Sequence, residues 1–549
     1  MAETMSNVDN FWLQMDHPTN LMVIAGFMQF DEKLDFDRLR ATIQNRMLSF
    51  DRFKKRVSKP MSGVGVPTWE TDPYFDLRNH LHRISLPDPG DKKMMMETVA
   101  DLMVMNLDPD KPLWQCTYIE NYGKGSALFF TLHHCIADGI ALVHILLSMA
   151  DLESDAPWPE SKQIRPKGAF HRIMPFDFVL DKVKSAGKTT QKVGKAIWKE
   201  AKQGMSNPQH LVDMAKFTTS LTADMSQVLG KLLFMPSDPK TVFKGDLGVR
   251  KSVVWSEQLP LADIKSVGKA VGATVNDVLI GCVSGALRSY LQKRNNRVFE
   301  LDLRVAVPVN IRRPGTEFEL GNKFSLVFLS LPVHIEDPIL RLKEVKRRMD
   351  HLKTSPDAFV GFQALNALGV TPENIAKRAA AFLANKATGV LTNVPGPRQP
   401  LYFSGKEIKD MMFWVPRIGR LGLGISIISY NNKITMGIAT DEKLVSDPDA
   451  ILDGFHAEYM HLVSLAKSGK VEKDPLVLYD RHKERMEAKK KNKDIADAQV
   501  ADKQQDVNRE ENGDEHGEEK KCQGTTKSGS PCKKAAVKGT DYCSIHSPA

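Results

Sequence analysis

The chain has no run of about 18 or more apolar residues, and its mean hydropathy is −0.31. No spanning helix is therefore expected. Its first residues, Met1 to Ser6, have neither the basic flank nor the apolar stretch of a secretory signal. Cysteine is scarce, with six in 549 residues. Cys116, Cys135 and Cys282 are scattered through apolar segments, as reduced core thiols are, so a disulfide framework is not expected. A cytosolic-side location follows. Aromatic residues make up 7%, and none lies between Tyr479 and Tyr542. Residues 481–521 are mainly Lys, Glu, Asp, Gln and Asn. Such a segment cannot bury enough apolar area to offset ordering entropy, and reads as a charged, disordered linker.

The chain as a whole has ordinary globular composition, 42% hydrophobic and 26% charged, and is long enough for two or more cores. The net charge of +9 is unevenly spread. Lys182, Lys184, Lys188, Lys192, Lys195, Lys199 and Lys202 crowd a segment also holding Val183, Val193, Ile197 and Trp198. This is the composition of a basic amphipathic helix on an anionic membrane, or of a solvated linker helix. Strand-like and helix-like segments alternate over residues 1–155. A Pro-, Lys- and Met-rich helical crossover follows at 156–240, and alternation resumes at 241–470. Leu21–Phe30, Ala127–Leu132 and Leu303–Val309 read as strands. Ile140–Met149, Ala262–Ala270 and Thr274–Arg294 read as helices, as does the segment from Phe36. An α/β or α+β class follows.

The densest chemistry is Thr131-Leu-His133-His134-Cys-Ile-Ala-Asp138-Gly139. A neutral imidazole can take a proton from an alcohol or thiol near pH 7. The pair sits where a strand ends, and successive strand side chains diverge. One histidine is thus expected to line a cavity while the scaffold holds the other. Asp138 either orients a histidine or pairs with an arginine to brace the turn, and Gly139 can supply a positive φ. A satisfied core histidine pair is the bland alternative. Divergence also disfavours a metal site at HHxxxD and a nucleophilic Cys135 acting with its neighbour.

HHCIADG matches the HHxxxDG signature of CoA-dependent acyltransferases. Other landmarks stand in order: Asp16-His-Pro18, Pro112-Leu-Trp114, Asn276-Asp277, Pro308-Val-Asn310-Ile-Arg312, Gly321-Asn322, Thr392-Asn393-Val-Pro-Gly-Pro397, and Gly424-Ile-Ser426 through Tyr430. With them, roughly residues 5 to 465 resemble the bacterial and plant wax ester synthase/diacylglycerol acyltransferase family. The Asp-Phe-Gly-Trp-Gly motif of plant alcohol acyltransferases is lacking. The resemblance implies two chloramphenicol-acetyltransferase-like halves joined by the crossover, with an active-site tunnel between them. It implies acyl transfer from acyl-CoA to diacylglycerol or a fatty alcohol, without a catalytic cofactor or an acyl-enzyme. His134 would be the general base, supported by His133, Asp138 and Gly139. Asn276 would either donate to the oxyanion or cap the helix beginning near Asp277. Trp114, Asn310 and Arg312 are carried as substrate-binding candidates, Trp114 also as core packing and Arg312 also as a partner for Asp138. Peripheral association with endoplasmic reticulum, plasma membrane or lipid droplets is implied. The alternatives are a non-catalytic lipid-surface scaffold or another alcohol acceptor.

The tail carries Cys522-x9-Cys532-x10-Cys543-x2-His546, at least 240 residues beyond the other cysteines. Three thiols and an imidazole form the ligand set of a structural Zn2+ site, and so short a module needs a staple. A disulfide plus a spare cysteine is the alternative. The expected role of residues 522–546 is an adaptor touching protein or nucleic acid.

Overall fold

The computed structural model describes residues 3–60, 65–159, 234–312, 320–469, 484, 520–537 and 540–546. The chain divides into two compact units, Met1–Lys473 and Asp474–Ala549. Most of the expected lysine-rich crossover and nearly all of the charged linker lie outside the described residues.

The larger unit is a mixed α/β structure built on two main sheets. Along the chain come helix α1 (Asn7–Gln14) and strands β1 (Val23–Phe30), β2 (Leu81–Ser85), β3 (Trp114–Tyr122) and β4 (Gly125–His133), then helix α2 (Gly139–Met149). The later part supplies β5 (Lys251–Trp255), helices α3 (Leu261–Val271) and α4 (Val275–Lys293), β6 (Leu303–Asn310) and β7 (Phe324–Leu331). Helices α5 (Pro338–Thr354), α6 (Asp357–Leu368) and α7 (Glu373–Ala384) follow, then β8 (Gly389–Pro395), β9 (Asp410–Trp414), β10 (Leu423–Tyr430), β11 (Lys433–Asp441) and helix α8 (Asp449–Lys467).

The first sheet has the order β9-β1-β4-β3-β2, and the main path of the second is β7-β6-β8-β10-β11-β5. Strand β4 is buried along its whole length, as its apolar run Ala127–Leu132 requires. It pairs antiparallel with β1, Val23 opposite His133 and Phe30 opposite Ser126, which sets the histidines at the sheet's end. Strand β9, from the later part of the chain, completes this first sheet beside β1. The Trp255 ring of β5 meets Phe27 of β1 at 5.0 Å and Trp414 of β9 at 5.7 Å, so a shared aromatic core joins the sheets.

Helix α2 carries apolar residues nearly all round, yet only Ala141, Ile145, Leu147 and Met149 are buried, so full burial is corrected to half-burial. Among the described residues no single helix is long and apolar enough to cross a membrane. Helices α3 and α4 pass that test only as a pair bent by 94°, and α4 is buried along most of its length.

Helix α1 reaches across to the later half. Asn10 Nδ2 donates to the Gly369 carbonyl at 2.7 Å, and Gln14 Nε2 to that of Thr371 at 3.3 Å. The backbones touch here: a Cβ on Gly369 would stand 1.7 Å from the Asn7 carbonyl oxygen. Gly369→Ala should therefore unseat α1 and destabilise the protein by about 1–3 kcal/mol in chemical unfolding. Wild-type stability in that variant would show that α1 is not docked this closely.

Candidate active site

The turn after β4 is stitched to the loop before β7. Ala137 forms a parallel bridge with Gly321. Asp138 is the N-cap of α2, its Oδ1 accepting from Ala141 N at 3.1 Å. Its Oδ2 accepts from Lys323 N at 2.8 Å and from Arg312 Nη1 at 2.5 Å. The two side chains of this ion pair are 5% and 1% exposed, so neither charge is solvated by bulk water. Arg312 Nη2 adds a bond to the Gly321 carbonyl at 2.7 Å. The positive φ expected at Gly139 is not found: capped by Asp138, Gly139 is the first residue of α2. The left-handed position lies across the seam at Gly321, with φ +99°.

The two histidines diverge. His134 is buried, and its ring stacks on Trp12 at 4.4 Å and 16°. Its main-chain N–H donates to the Met22 carbonyl. Ring Nδ1 lies 2.9 Å from Asn322 Oδ1, while Nε2 makes no hydrogen bond among the described residues. Asn322 Nδ2 donates to Asp9 Oδ1 at 2.8 Å and to the His134 carbonyl at 2.7 Å. Burial lowers the His134 pKa to about 4; its own backbone, the Asp138 charge and Asn322 offset this only in part. The ring is therefore neutral at pH 7. His133 turns elsewhere: its Nδ1 accepts from Cys135 N at 3.2 Å, and its Nε2 lies 4.0 Å from Asp16 Oδ1. Burial, then the neighbouring His134, lowers its pKa to about 3. Burial pushes the Cys135 thiol well above its ordinary value, which keeps it from being a thiolate.

Asn276 is not the cap of α4. Thr274 is, and it forms a capping box with Asp277. At the second position of the helix, Asn276 Oδ1 instead accepts from Asn393 Nδ2 of β8 at 2.9 Å, which leaves its own amide hydrogens available. The next residue of β8, Val394, comes within 3.7 Å of where a Cβ on Gly139 would be. Asn310 Oδ1 accepts from Arg312 N at 3.0 Å, a local turn bond. Trp114 is buried in the first sheet's core, its Nε1 donating to the Phe53 carbonyl at 2.9 Å and its ring stacked on His80 at 4.6 Å.

Sequence reasoning did not single out Asp9 or Trp12. The available signal was a short helix with a polar face, Asp9 and Asn10, beside the apolar residues Val8, Phe11 and Trp12. Gly321-Asn322 was noted as a landmark without a role.

In the smaller unit, bridges Lys521–Ala535 and Thr525–Pro531 fold a hairpin that brings Cys522 towards Cys532. The donor atoms of Cys522, Cys532, Cys543 and His546 lie within 4.8 Å of one another. Cys532 and Cys543 sulfurs are 3.9 Å apart, and His546 Nδ1 is 3.5 Å from Cys522 Sγ and 3.4 Å from Cys543 Sγ. A tetrahedral ion with bonds of about 2.3 Å to sulfur and 2.05 Å to nitrogen needs edges of about 3.8 and 3.55 Å. The cluster fits a tetrahedral metal, and none of its cysteines is in a disulfide.

Two family models cover the larger unit. Residues 5–279 match the wax ester synthase/diacylglycerol acyltransferase catalytic domain, and residues 320–463 match the WS/DGAT C-terminal domain. A protein named a probable diacylglycerol O-acyltransferase from Mycobacterium tuberculosis is 26% identical over 457 residues, 80% of this chain and 90% of the relative. The O-acyltransferase WSD of Acinetobacter baylyi is 26% identical over 452 residues, 78% and 90% of the two chains. Among solved structures, the wax ester synthase/diacylglycerol acyltransferase of Marinobacter aquaeolei VT8 aligns with TM-score 0.59 at 20% identity, covering 85% of this chain and 100% of that one. The first condensation domain of the calcium-dependent antibiotic synthetase aligns with TM-score 0.53 at 14% identity, covering 86% and 98%. Both share the two-lobed, chloramphenicol-acetyltransferase-like fold. Matched over half its length by the catalytic model alone, the chain belongs to the wax ester synthase/diacylglycerol acyltransferase family.

Proposed function

We propose that this acyltransferase moves a fatty acyl group from acyl-CoA to the hydroxyl of diacylglycerol or a long-chain fatty alcohol, with His134 Nε2 as the proton acceptor. The observation that carries this is the neutral His134 ring, held by Nδ1 and by Trp12 while Nε2 has no partner among the described residues. As the alcohol oxygen attacks the thioester carbonyl, its proton passes to Nε2. The new C–O bond forms, the C–S bond breaks, and the imidazolium returns the proton to the CoA thiolate. No acyl-enzyme is required. Asn276, its oxygen already engaged by Asn393, is assigned as an N–H donor to the transient oxyanion. Asp138, Arg312 and Asn310 are assigned to bracing the turn, His133 to holding the strand end, and Trp114 to packing.

The lipid acceptor places the enzyme at a membrane or lipid-droplet surface in this reading. The lysine-rich segment around 182–202 suits an anionic surface by composition, although it lies outside the described residues. Phe234, Ile375 and Phe382 are exposed apolar side chains, and Arg378 on α7 adds an exposed cation. For the tail, the edge lengths of the Cys3His cluster support structural Zn2+, with cysteine thiolates and His546 as ligands and an adaptor role for the module.

Acyl-CoA offered to diacylglycerol and hexadecanol together should yield ester and free CoA with wild type. His134→Ala should lower that rate by at least ~10²-fold. Equal rates would remove His134 from catalysis, and no CoA release with any acceptor alongside intact liposome binding would favour the scaffold. The full-length protein purified under reducing conditions should carry about one zinc per chain, and Cys543→Ser should lose it without loss of acyl transfer. Metal-free wild type would refute the zinc assignment.

A further inference from the structure

We propose that Asp9 is a positioning residue for acyl transfer: its Oδ1 orients the Asn322 amide so that His134 carries its ring hydrogen on Nδ1 and presents a bare lone pair at Nε2. This rests on His134 as proton acceptor, and it adds the device that selects the working tautomer.

The side-chain amide of Asn322 has two hydrogens, and both have acceptors in place, Asp9 Oδ1 at 2.8 Å and the His134 carbonyl at 2.7 Å. In the opposite orientation the amide oxygen would meet two oxygens at those distances. The amide oxygen is therefore the atom 2.9 Å from His134 Nδ1, and an acceptor there demands an N–H from the ring. A flipped amide would present N–H to Nδ1, move the ring hydrogen to Nε2 and leave nothing to accept a substrate proton. Asp9 Oδ1 also takes the Asn322 backbone N–H at 3.0 Å, fixing both ends of the residue.

Asp9 is itself fixed. Its backbone N–H donates to the Ser6 hydroxyl at 3.1 Å, Arg52 Nη1 lies 3.8 Å from its Oδ2, and its side chain is 3% exposed. Oδ1 accepts in either protonation state of the carboxyl. Three residues further along α1, on the same helix face, Trp12 stacks on the His134 ring. One helix thus controls the ring by its edge, through Asn322, and by its face. The charged groups around this chain are Arg52, the Asp138–Arg312 pair and Asp16; His133 is neutral at pH 7.

The test is 15N NMR of ring-labelled histidine in the resting protein, His134 assigned by its loss in His134→Gln, alongside steady-state kinetics. Wild type should show hydrogen on Nδ1. Asp9→Leu should redistribute it towards Nε2 and lower kcat by ~10²–10⁴-fold with little change in KM, since loss of tautomer control costs ~10⁴-fold in serine proteases. Asp9→Asn, which keeps an oxygen for Asn322, should restore most of the rate. Asn322→Leu, which removes the acceptor from Nδ1, should likewise move the hydrogen towards Nε2 and gives a second reading if Asp9→Leu does not fold. Hydrogen on Nε2 in wild type, or an unchanged tautomer in Asp9→Leu or Asn322→Leu, overturns the proposal. The tautomer is read without turnover, so its failure is distinct from failure of His134→Ala to lose activity.

Discussion

The buried Asp138–Arg312 pair is the constraint on which the site depends. One carboxylate starts helix α2, holds the Lys323 backbone and binds the guanidinium that also grips Gly321. Two charges this deep are expensive to desolvate, and removing either partner from such a pair costs about 3–5 kcal/mol. The pair therefore holds the turn after β4 and the loop before β7 in one register. That register brings Asn322 to His134, and with it Asp9 and Trp12 of the first helix. The arrangement around His134 forms across that seam, with Asp9, Trp12 and His134 on one side and Arg312 and Asn322 on the other.

Much of this was legible. Apolar runs and alternation marked β4, β1, β6, α3 and α4 within one or two residues, because burial imposes those periods locally. The histidine divergence followed from strand geometry. The tail cluster was legible because its ligands lie within 25 residues of one another, Cys522 to His546. What the sequence does not carry is long-range pairing of polar side chains. Asn322 meets His134 across 188 positions and Asp9 across 313. Nothing in a hydrophobic pattern distinguishes those partners from solvated ones. Two local readings also went astray for local reasons. Thr274 outcompeted Asn276 as a cap because it opens a reciprocal box with Asp277, and capping by Asp138 drew Gly139 into helical geometry.

As the proposed base, His134 is weakened by burial and stays neutral down to about pH 4. Its folded-state pKa near 4 lies below the unfolded value of about 6.5, so between those values the unfolded chain binds the extra proton. The histidine's contribution to stability is complete above pH 6.5 and is lost as pH falls through about 4. Over the same interval the folded protein keeps this imidazole neutral. Weak basicity means that alignment of the two substrates and stabilisation of the oxyanion supply most of the acceleration.

The most direct measurement is the pH dependence of the rate with acyl-CoA and alcohol both far below KM, which reports the free enzyme's ionisations. A buried, neutral His134 base predicts a rate that stays level from pH 7 to about 5 and falls only through about 4. An acid limb centred near 6.5, the value of a solvated histidine, would contradict it.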